Sequence, residues 1–313
     1  MNMLITGGAG FIGSHLCSEL VKKGNHVVCL DNFELGSREN LKDVLDNPLF
    51  TLTEGDASSI SVLEHVIVEN QIEMIFHLAA NSDIQKSGVS PEIDFINTFS
   101  TSYGVLEAMR RKQVKKLFFA STSAVYGEKT DTKLSEDVGG LSPISYYGGA
   151  KLASEAFISS YAYMNNFDVT IFRFPNVIGP GLTHGVIFDF IRKLKMDPLK
   201  LQILGDGTQK KPYLYVMDLI DAILKVSLSE EKGVHIYNIG VESATTVKEI
   251  ADMVCKKMGL PEVQYIYTGG KRGWKGDVPQ FQYDLSKIHR RGWKASYTSN
   301  EAVEKTLDYV LKE

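Results

Sequence analysis

Residues 3–13 read MLITGGAGFIG, and this stretch decides the fold. MLIT (3–6) is a short β-rich run. Gly7, Gly10 and Gly13 follow it directly, and from Phe11 onward apolar residues recur at helical spacing in FIGSHLCSELVKKG. A strand, a glycine turn and a helix start in that order predict a dinucleotide cradle. Gly7 permits the tight turn, Gly10 lets the backbone approach a pyrophosphate, and Gly13 lets helix and strand pack closely. Phe11 and Ile12 belong to the first helical turn, where N–H donors and the positive end of the helix dipole face an anion.

The pattern repeats outward from this unit. HVVCL (26–30), LFTLTE (49–54), EMIFHL (73–78), KLFFA (116–120) and VTIFRF (169–174) read as strands. Between them SVLEHVIVENQ, EIDFINTFSTSYGVLEAMRRK and KLASEAFISSYAYMNN carry apolar residues three and four apart and read as helices. Short apolar strands alternating with helices predict an α/β fold, a Rossmann-like doubly wound parallel sheet. After about residue 175 the elements shorten, and Pro and Gly become frequent. The division predicted is a dinucleotide-binding domain over residues 1–175, with segments around 212–245 returning to it. A smaller mixed α/β substrate lobe covers 176–313. Two helix starts in that lobe carry capping boxes, Thr246 with Glu249 and Thr298 with Glu301. The ligand is expected in a crevice at the carboxyl ends of the strands.

Bulk properties narrow the class. A net charge of −4 offers no long-range attraction to nucleic acid or an anionic membrane. No apolar run approaches the roughly 20 residues of a membrane helix, and the amino terminus has no basic region of a signal peptide. Cys17, Cys29 and Cys255 lie in apolar periodic segments without CxxC spacing, so they read as buried thiols, and no metal site is expected. A cytoplasmic enzyme is the expectation. Asp31, in CLDNF after the second strand, can accept hydrogen bonds from both adenosine ribose hydroxyls. A carboxylate there repels a 2′-phosphate, which selects NAD over NADP. Arg38, close by, reads as a surface residue.

The glycine spacing, GxxGxxG, resembles that of the short-chain dehydrogenase/reductase superfamily, and the resemblance runs along nearly the whole chain. By that resemblance Asn32 joins Asp31, and Asp56 and Ala57 of EGDAS hold the adenine. Leu78, Ala79 and Ala80 of HLAAN (77–81) lie beside the cofactor with Asn97 of the fourth helix. STSAVYG, RFPNVIGPG and GDGTQKKPYLYV resemble the extended branch, the nucleotide-sugar epimerases and dehydratases, most nearly the UDP-hexose 4-epimerases acting on UDP-glucose or UDP-N-acetylglucosamine. The family's catalytic group is Tyr-xxx-Lys with a Ser or Thr from the end of strand five. In SYYGGAK (145–151) Tyr147 alone has a lysine, Lys151, four residues on, which on a helix puts both on one face. A phenol ordinarily ionises near pH 10, and lowering that to about 7 takes roughly 4 kcal/mol. A neighbouring ammonium and a positive nicotinamide together supply that order of effect. Tyr146 is expected to pack at the helix start. The resemblance makes Thr122 the proton relay and Ser123 a second donor. It also implies that dehydratases and UDP-glucuronate decarboxylases use an acid in this motif, where Ser123 and Ala124 stand here.

For the nucleotide-sugar end the resemblance implies Asn176 at the diphosphate or sugar, the segment of Val186 (THGVI) at the nucleotide, and Asp277 at its ribose. Lys211 stands where the family places arginine, and meets phosphate as a point charge without the bidentate fork. Trp274 stands where a second arginine is usual, with Arg272 two residues earlier as its substitute. Phe281 falls near a position that in related epimerases gates N-acetylated sugars. Three readings follow: a UDP-sugar 4-epimerase with tightly bound NAD, a dehydratase or 4-ketoreductase, and an NAD-sensing binder. The helices of residues 91–112 and 146–165 resemble those forming the family's homodimer interface.

Overall fold

The computed structural model describes residues 1–83, 88–129, 133–229 and 231–312. They fall into two compact units, each considered by itself. The first comprises Met1–Tyr126, Leu141–Arg173 and Ile220–Tyr237, and the second comprises Gly127–Gly140, Phe174–Leu219 and Asn238–Glu313. Gly127–Gly140 thus groups with the second unit rather than with residues 1–175. The reason is local: the Leu134 amide donates to Gln282 O at 2.8 Å, and Asn238 Nδ2 donates to Leu134 O at 2.7 Å. The segment returning to the first unit is 220–237, shorter than 212–245.

The first unit is built on seven strands: β1 Asn2–Thr6, β2 His26–Asp31, β3 Phe50–Glu54, β4 Met74–His77, β5 Lys116–Thr122, β6 Asp168–Phe174, and Val234–Asn238. They form one parallel sheet in the order Val234–Asn238, β6, β5, β4, β1, β2, β3. The direction of winding reverses between β1 and β4, the place where ligands bind in open α/β sheets. The strands are short and apolar because helices cover both faces. On one face Phe76, Phe118, Phe172 and Tyr237 step across four neighbouring strands, with ring centroids 5.7, 5.1 and 6.0 Å apart. Leu4, Val28, Ile75, Leu117 and Phe119 belong to a buried cluster with Leu63, Val105 and Met109 of the helices. No helix of the described residues is long and apolar enough to cross a membrane.

Residues 91–112 do not form the single regular helix that their spacing predicts. Pro91–Asp94 and Thr101–Lys112 are α-helical, but Phe95–Ser100 is a π-helical turn. Three successive hydroxyls account for the break. Ser100 Oγ donates to Phe95 O at 3.0 Å, Thr101 Oγ1 to Thr98 O at 3.0 Å, and Ser102 Oγ to Thr98 O at 2.8 Å. Side chains that take backbone carbonyls compete with the helical ladder, and π-turns inside helices often mark functional segments.

In the second unit Tyr213–Tyr215 pairs with Asn176–Ile178, Gln264–Tyr267 with Lys200–Ile203, and Lys210–Lys211 antiparallel with Thr245–Thr246. Both expected capping boxes are present and start the helices Val247–Lys257 and Ser299–Val310.

One buried ion pair sets the stability of the first unit's site. The Arg173 guanidinium donates to both Glu155 oxygens, at 3.0 and 2.6 Å, and to Tyr126 Oη at 3.0 Å, with Arg173 2% and Glu155 5% exposed. Removing one member of such a pair strands a buried charge. Glu155→Ala is expected to lower unfolding free energy by about 3–5 kcal/mol, measured as a shift of the urea midpoint. A loss under ~1 kcal/mol, the range of an exposed pair, would contradict this.

Candidate active site

The glycine turn is wedged at the point where the sheet reverses. Gly7 has φ +72°, and a Cβ there would lie 2.7 Å from the Ala79 nitrogen. A Cβ on Gly13 would lie 2.2 Å from Gly7 O, so the first helix, Phe11–Lys22, presses directly on the turn. Gly10 caps that helix in extended conformation with no side-chain cap. The first-turn amides of Phe11, Ile12 and Gly13 have no intrahelical acceptor. They are the donors an incoming pyrophosphate takes.

Asp31 closes the same turn from β2. Its Oδ2 accepts from the Ala9 amide and its Oδ1 from the Phe33 amide, both at 2.9 Å. Burial raises its pKa above the usual carboxylate range while those two amides oppose the rise. The carboxylate is therefore part of the cradle's construction, with its remaining lone pairs available to ribose hydroxyls. Asn32 is exposed, and its Oδ1 accepts from the Glu34 amide at 3.1 Å. Asp56 accepts from the Ser58 amide at 2.7 Å, and Ala57 is buried. Leu78 donates to Thr6 O at 3.0 Å, placing half-buried Leu78, Ala79 and Ala80 beside the turn. Asn97 lies in the π-turn and donates to both Glu34 oxygens, at 3.1 and 3.0 Å. These residues fit a dinucleotide: a cradle without Cβ atoms, open helix amides, and an acid positioned for ribose.

The candidate reacting group comes from the helix Tyr146–Asn165. Ser145 caps it by accepting from the Gly148 amide at 3.1 Å. A Cβ on Gly148 would lie 2.7 Å from Ala124 O, so glycine allows the helix start to press on the turn after β5. That contact brings Tyr147 to Thr122, which hydrogen-bonds the phenol. Lys151, one turn on, is 1% exposed, and its Nζ donates to Ala120 O at 2.7 Å. The ammonium sits 4.7 Å from the Phe119 ring centroid and 6.0 Å from that of Tyr147. Burial drops its pKa to about 7, against the charges of Glu155 and Asp94. Burial pushes the Tyr147 phenol up, as does the negative charge of Asp94, while the Thr122 bond lowers it. With the chain's own charges alone, Tyr147 is a protonated phenol.

One local expectation needs correction, and two candidate cations have carboxylate partners. Tyr146 does not pack at the helix start: it is 54% exposed, because the buried stripe of this helix runs through Gly148, Lys151, Ser154 and Glu155. Arg272, expected to reach phosphate in place of an arginine at Trp274, is paired with Glu128 at 2.6 Å. Lys211 contacts Asp277 Oδ1, so these two candidate substrate residues neutralise each other. Asp277 is 5% exposed and also accepts from the Gly273 amide at 3.1 Å. In the same unit Asn176 is exposed and hydrogen-bonds the Tyr213 phenol across paired strands. Val186 opens the helix Val186–Met196 behind Gly185. Ser123, in the first unit, starts the short 3₁₀ turn Ser123–Tyr126.

Two side chains of the site have no local sequence signal. Asp94 is 1% exposed and accepts from Asn81 Nδ2 at 2.9 Å. Three residues past Pro91, it reads as an ordinary acid of a first helical turn. His77 is buried between Thr6 Oγ1, 2.7 Å from Nδ1, and Ser102 Oγ, 3.1 Å from Nε2. Burial lowers its pKa to about 3, so it is neutral. No group of side chains among the described residues is arranged to hold a metal ion.

Comparison with known proteins bears on the family and the fold. The model of the NAD dependent epimerase/dehydratase family matches residues 3–240. The crystal structure of UDP-glucose 4-epimerase from Thermotoga maritima, with UDP-glucose, superposes with TM-score 0.89 at 30% identity, covering 100% of this chain and 99% of that one. The dTDP-glucose 4,6-dehydratase of Bacillus anthracis, in complex with NAD, gives TM-score 0.87 at 25% identity, covering 100% and 97%. A UDP-N-acetyl-α-D-glucosaminuronate decarboxylase of Bacillus cytotoxicus is 37% identical over 79% of this chain and 77% of its own.

Two measurements follow from the geometry. Gly13→Ala puts a methyl into the turn's backbone and is expected to abolish retention of NAD through gel filtration, read by absorbance; retained cofactor would refute the cradle. For Lys151 the unfolded chain binds a proton near pH 10.5 that the folded protein releases near 7. Stability therefore rises with pH across that window. The rise in urea midpoint between pH 7 and 10 is expected to be smaller in Lys151→Met than in the wild type. Equal slopes would show that the buried amine keeps an ordinary pKa.

Proposed function

Because the chain belongs to the NAD-dependent epimerase/dehydratase family and uses NAD, we propose that it inverts C4 of a UDP-sugar through a transient 4-keto sugar. The observation that carries this reading is the Thr122–Tyr147–Lys151 group beside a turn in which neither Ser123 nor Ala124 supplies a carboxylate. Bound NAD supplies a hydride acceptor at C4 and then a hydride donor. Tyr147, its phenol brought down by Lys151 and the positive nicotinamide ring, takes the C4 hydroxyl proton, with Thr122 as relay. When the ketone has turned over and presents its other face to the cofactor, the same tyrosine returns the proton to the C4 oxygen, leaving C4 inverted. Elimination of water across C5–C6 needs a further acid and base, and this turn provides none.

The sugar is glucose/galactose or its N-acetylamino counterpart, anchored through its diphosphate by Asn176, Lys211 and the segment of Val186, with Asp277 at the ribose. For Lys211 and Arg272 that anchoring exchanges carboxylate partners for phosphate. A homodimer suits the apolar surface of the helices holding Phe95, Ile96, Tyr103, Phe157, Tyr163 and Met164, all exposed. The proposed setting is the cytoplasm.

The deciding experiment incubates the purified protein, without added cofactor, with UDP-glucose and separately with UDP-N-acetylglucosamine, and resolves C4 epimers by NMR. Tyr147→Phe is expected to keep NAD and lose turnover by about 10²–10⁴-fold. Release of a 4-keto or decarboxylated product, or full activity of Tyr147→Phe, would overturn the proposal.

A further inference from the structure

Asp94 is a buried carboxylate that the chemistry above does not use. One oxygen, Oδ1, accepts from Asn81 Nδ2 at 2.9 Å and lies 3.5 Å from Thr98 Oγ1. The other, Oδ2, has no hydrogen-bond partner although it is out of contact with solvent. A buried acceptor left bare is costly, more so when charged, so its retention asks for a reason. The surroundings supply one. Asn81 closes HLAAN at the end of the cofactor strand, and the helical turn Pro91–Asp94 packs against the helix that carries Tyr147 and Lys151.

We propose that Asp94 is a positioning residue of the site: its buried carboxylate, in a turn packed against the helix of Tyr147, holds that phenol protonated until a positive cofactor ring is bound. The inference rests on the assignment of Tyr147 as the base. Of the other titratable groups on elements packed against this helix, Glu92, Tyr103 and Lys112 are exposed and Lys116 is half-buried, and the buried ones are already committed. Glu155 is closed by Arg173, and Glu107, at the far end, by Arg110, Arg111 and the Tyr161 phenol. Tyr126 is held by Arg173, and His77 is neutral. The π-turn Phe95–Ser100, the next segment against the helix, contains no ionisable side chain. Asp94 is the charge left to act on the phenol, and its field opposes a phenolate. A base that forms only when NAD is in place cannot take a proton from a sugar that has no hydride acceptor.

The test is a titration of the Tyr147 phenol by phenolate absorbance in the NAD-loaded protein, without sugar, with Tyr147→Phe protein as the subtracted reference. Asp94→Asn keeps shape and an oxygen for Asn81 but removes the charge. Asp94→Ser keeps a hydroxyl acceptor and is the second variant should the amide disturb folding, which circular dichroism checks. Each is expected to lower the titration midpoint by roughly one pH unit, and to move the acid limb of the kcat/KM profile the same way. An unchanged midpoint in the folded variants overturns the role of Asp94, whatever their activity. A lowered midpoint in protein that forms no C4 epimer overturns the reaction assignment and leaves the role of Asp94 standing.

Discussion

The site depends on one buried hydrogen bond, that of the Lys151 ammonium to the Ala120 carbonyl at the end of β5. An amine without water needs a fixed partner, and this one fixes the rotation of the helix Tyr146–Asn165 against the sheet. Given that rotation, Tyr147 lies one turn back beside Thr122, and Glu155 lies one turn on against Arg173. Cofactor chemistry, helix placement and a buried ion pair thus share a single stripe of one helix. The protonation of the Tyr147 phenol is then a balance of charges around that stripe rather than a property of tyrosine.

A second constraint acts at the reversal of the sheet. Gly7 is pressed on Ala79 and Gly13 on Gly7, leaving no space for a Cβ at either. Asp31 completes the same structure by accepting two backbone amides. The acid that the sequence predicts at the ribose thus also holds the glycine turn to β2, and loss of that carboxylate disturbs the shape of the turn. The family match over residues 3–240 and the superposition on epimerase and dehydratase structures are consistent with a fold organised around this turn.

The second unit shows how ion pairs rearrange an expected site. Lysine at position 211 contacts Asp277, and Arg272 contacts Glu128. Each is a cation that the family resemblance aligns with a phosphate, and each has a carboxylate as its partner here. The Lys211–Asp277 pair is largely shielded, with 20% and 6% of the side chains exposed, whereas the Arg272–Glu128 pair is exposed at 42% and 37%. Exposed pairs are worth little, so Arg272 is the easier cation to release from its carboxylate.

Much of this protein is written locally. Strand–glycine–helix order, period-two and period-3.6 apolar patterns, the two capping boxes and the four-residue spacing of Tyr147 and Lys151 are short-range features. Backbone geometry reads them directly, which is why the sheet, both capped helices and the closeness of Tyr147 and Lys151 were legible in the sequence. Other features come from contacts between distant segments. Gly127–Gly140 joins the second unit through Leu134 and residues near 282, and Tyr146 turns outward because the helix buries another stripe. The break at Phe95–Ser100 depends on which carbonyls three hydroxyls reach. Asp94 is the clearest case: an acid in a first helical turn is ordinary by sequence. Only packing against the helix of Tyr147, with water excluded from Oδ2, makes its charge count, because burial weakens dielectric screening.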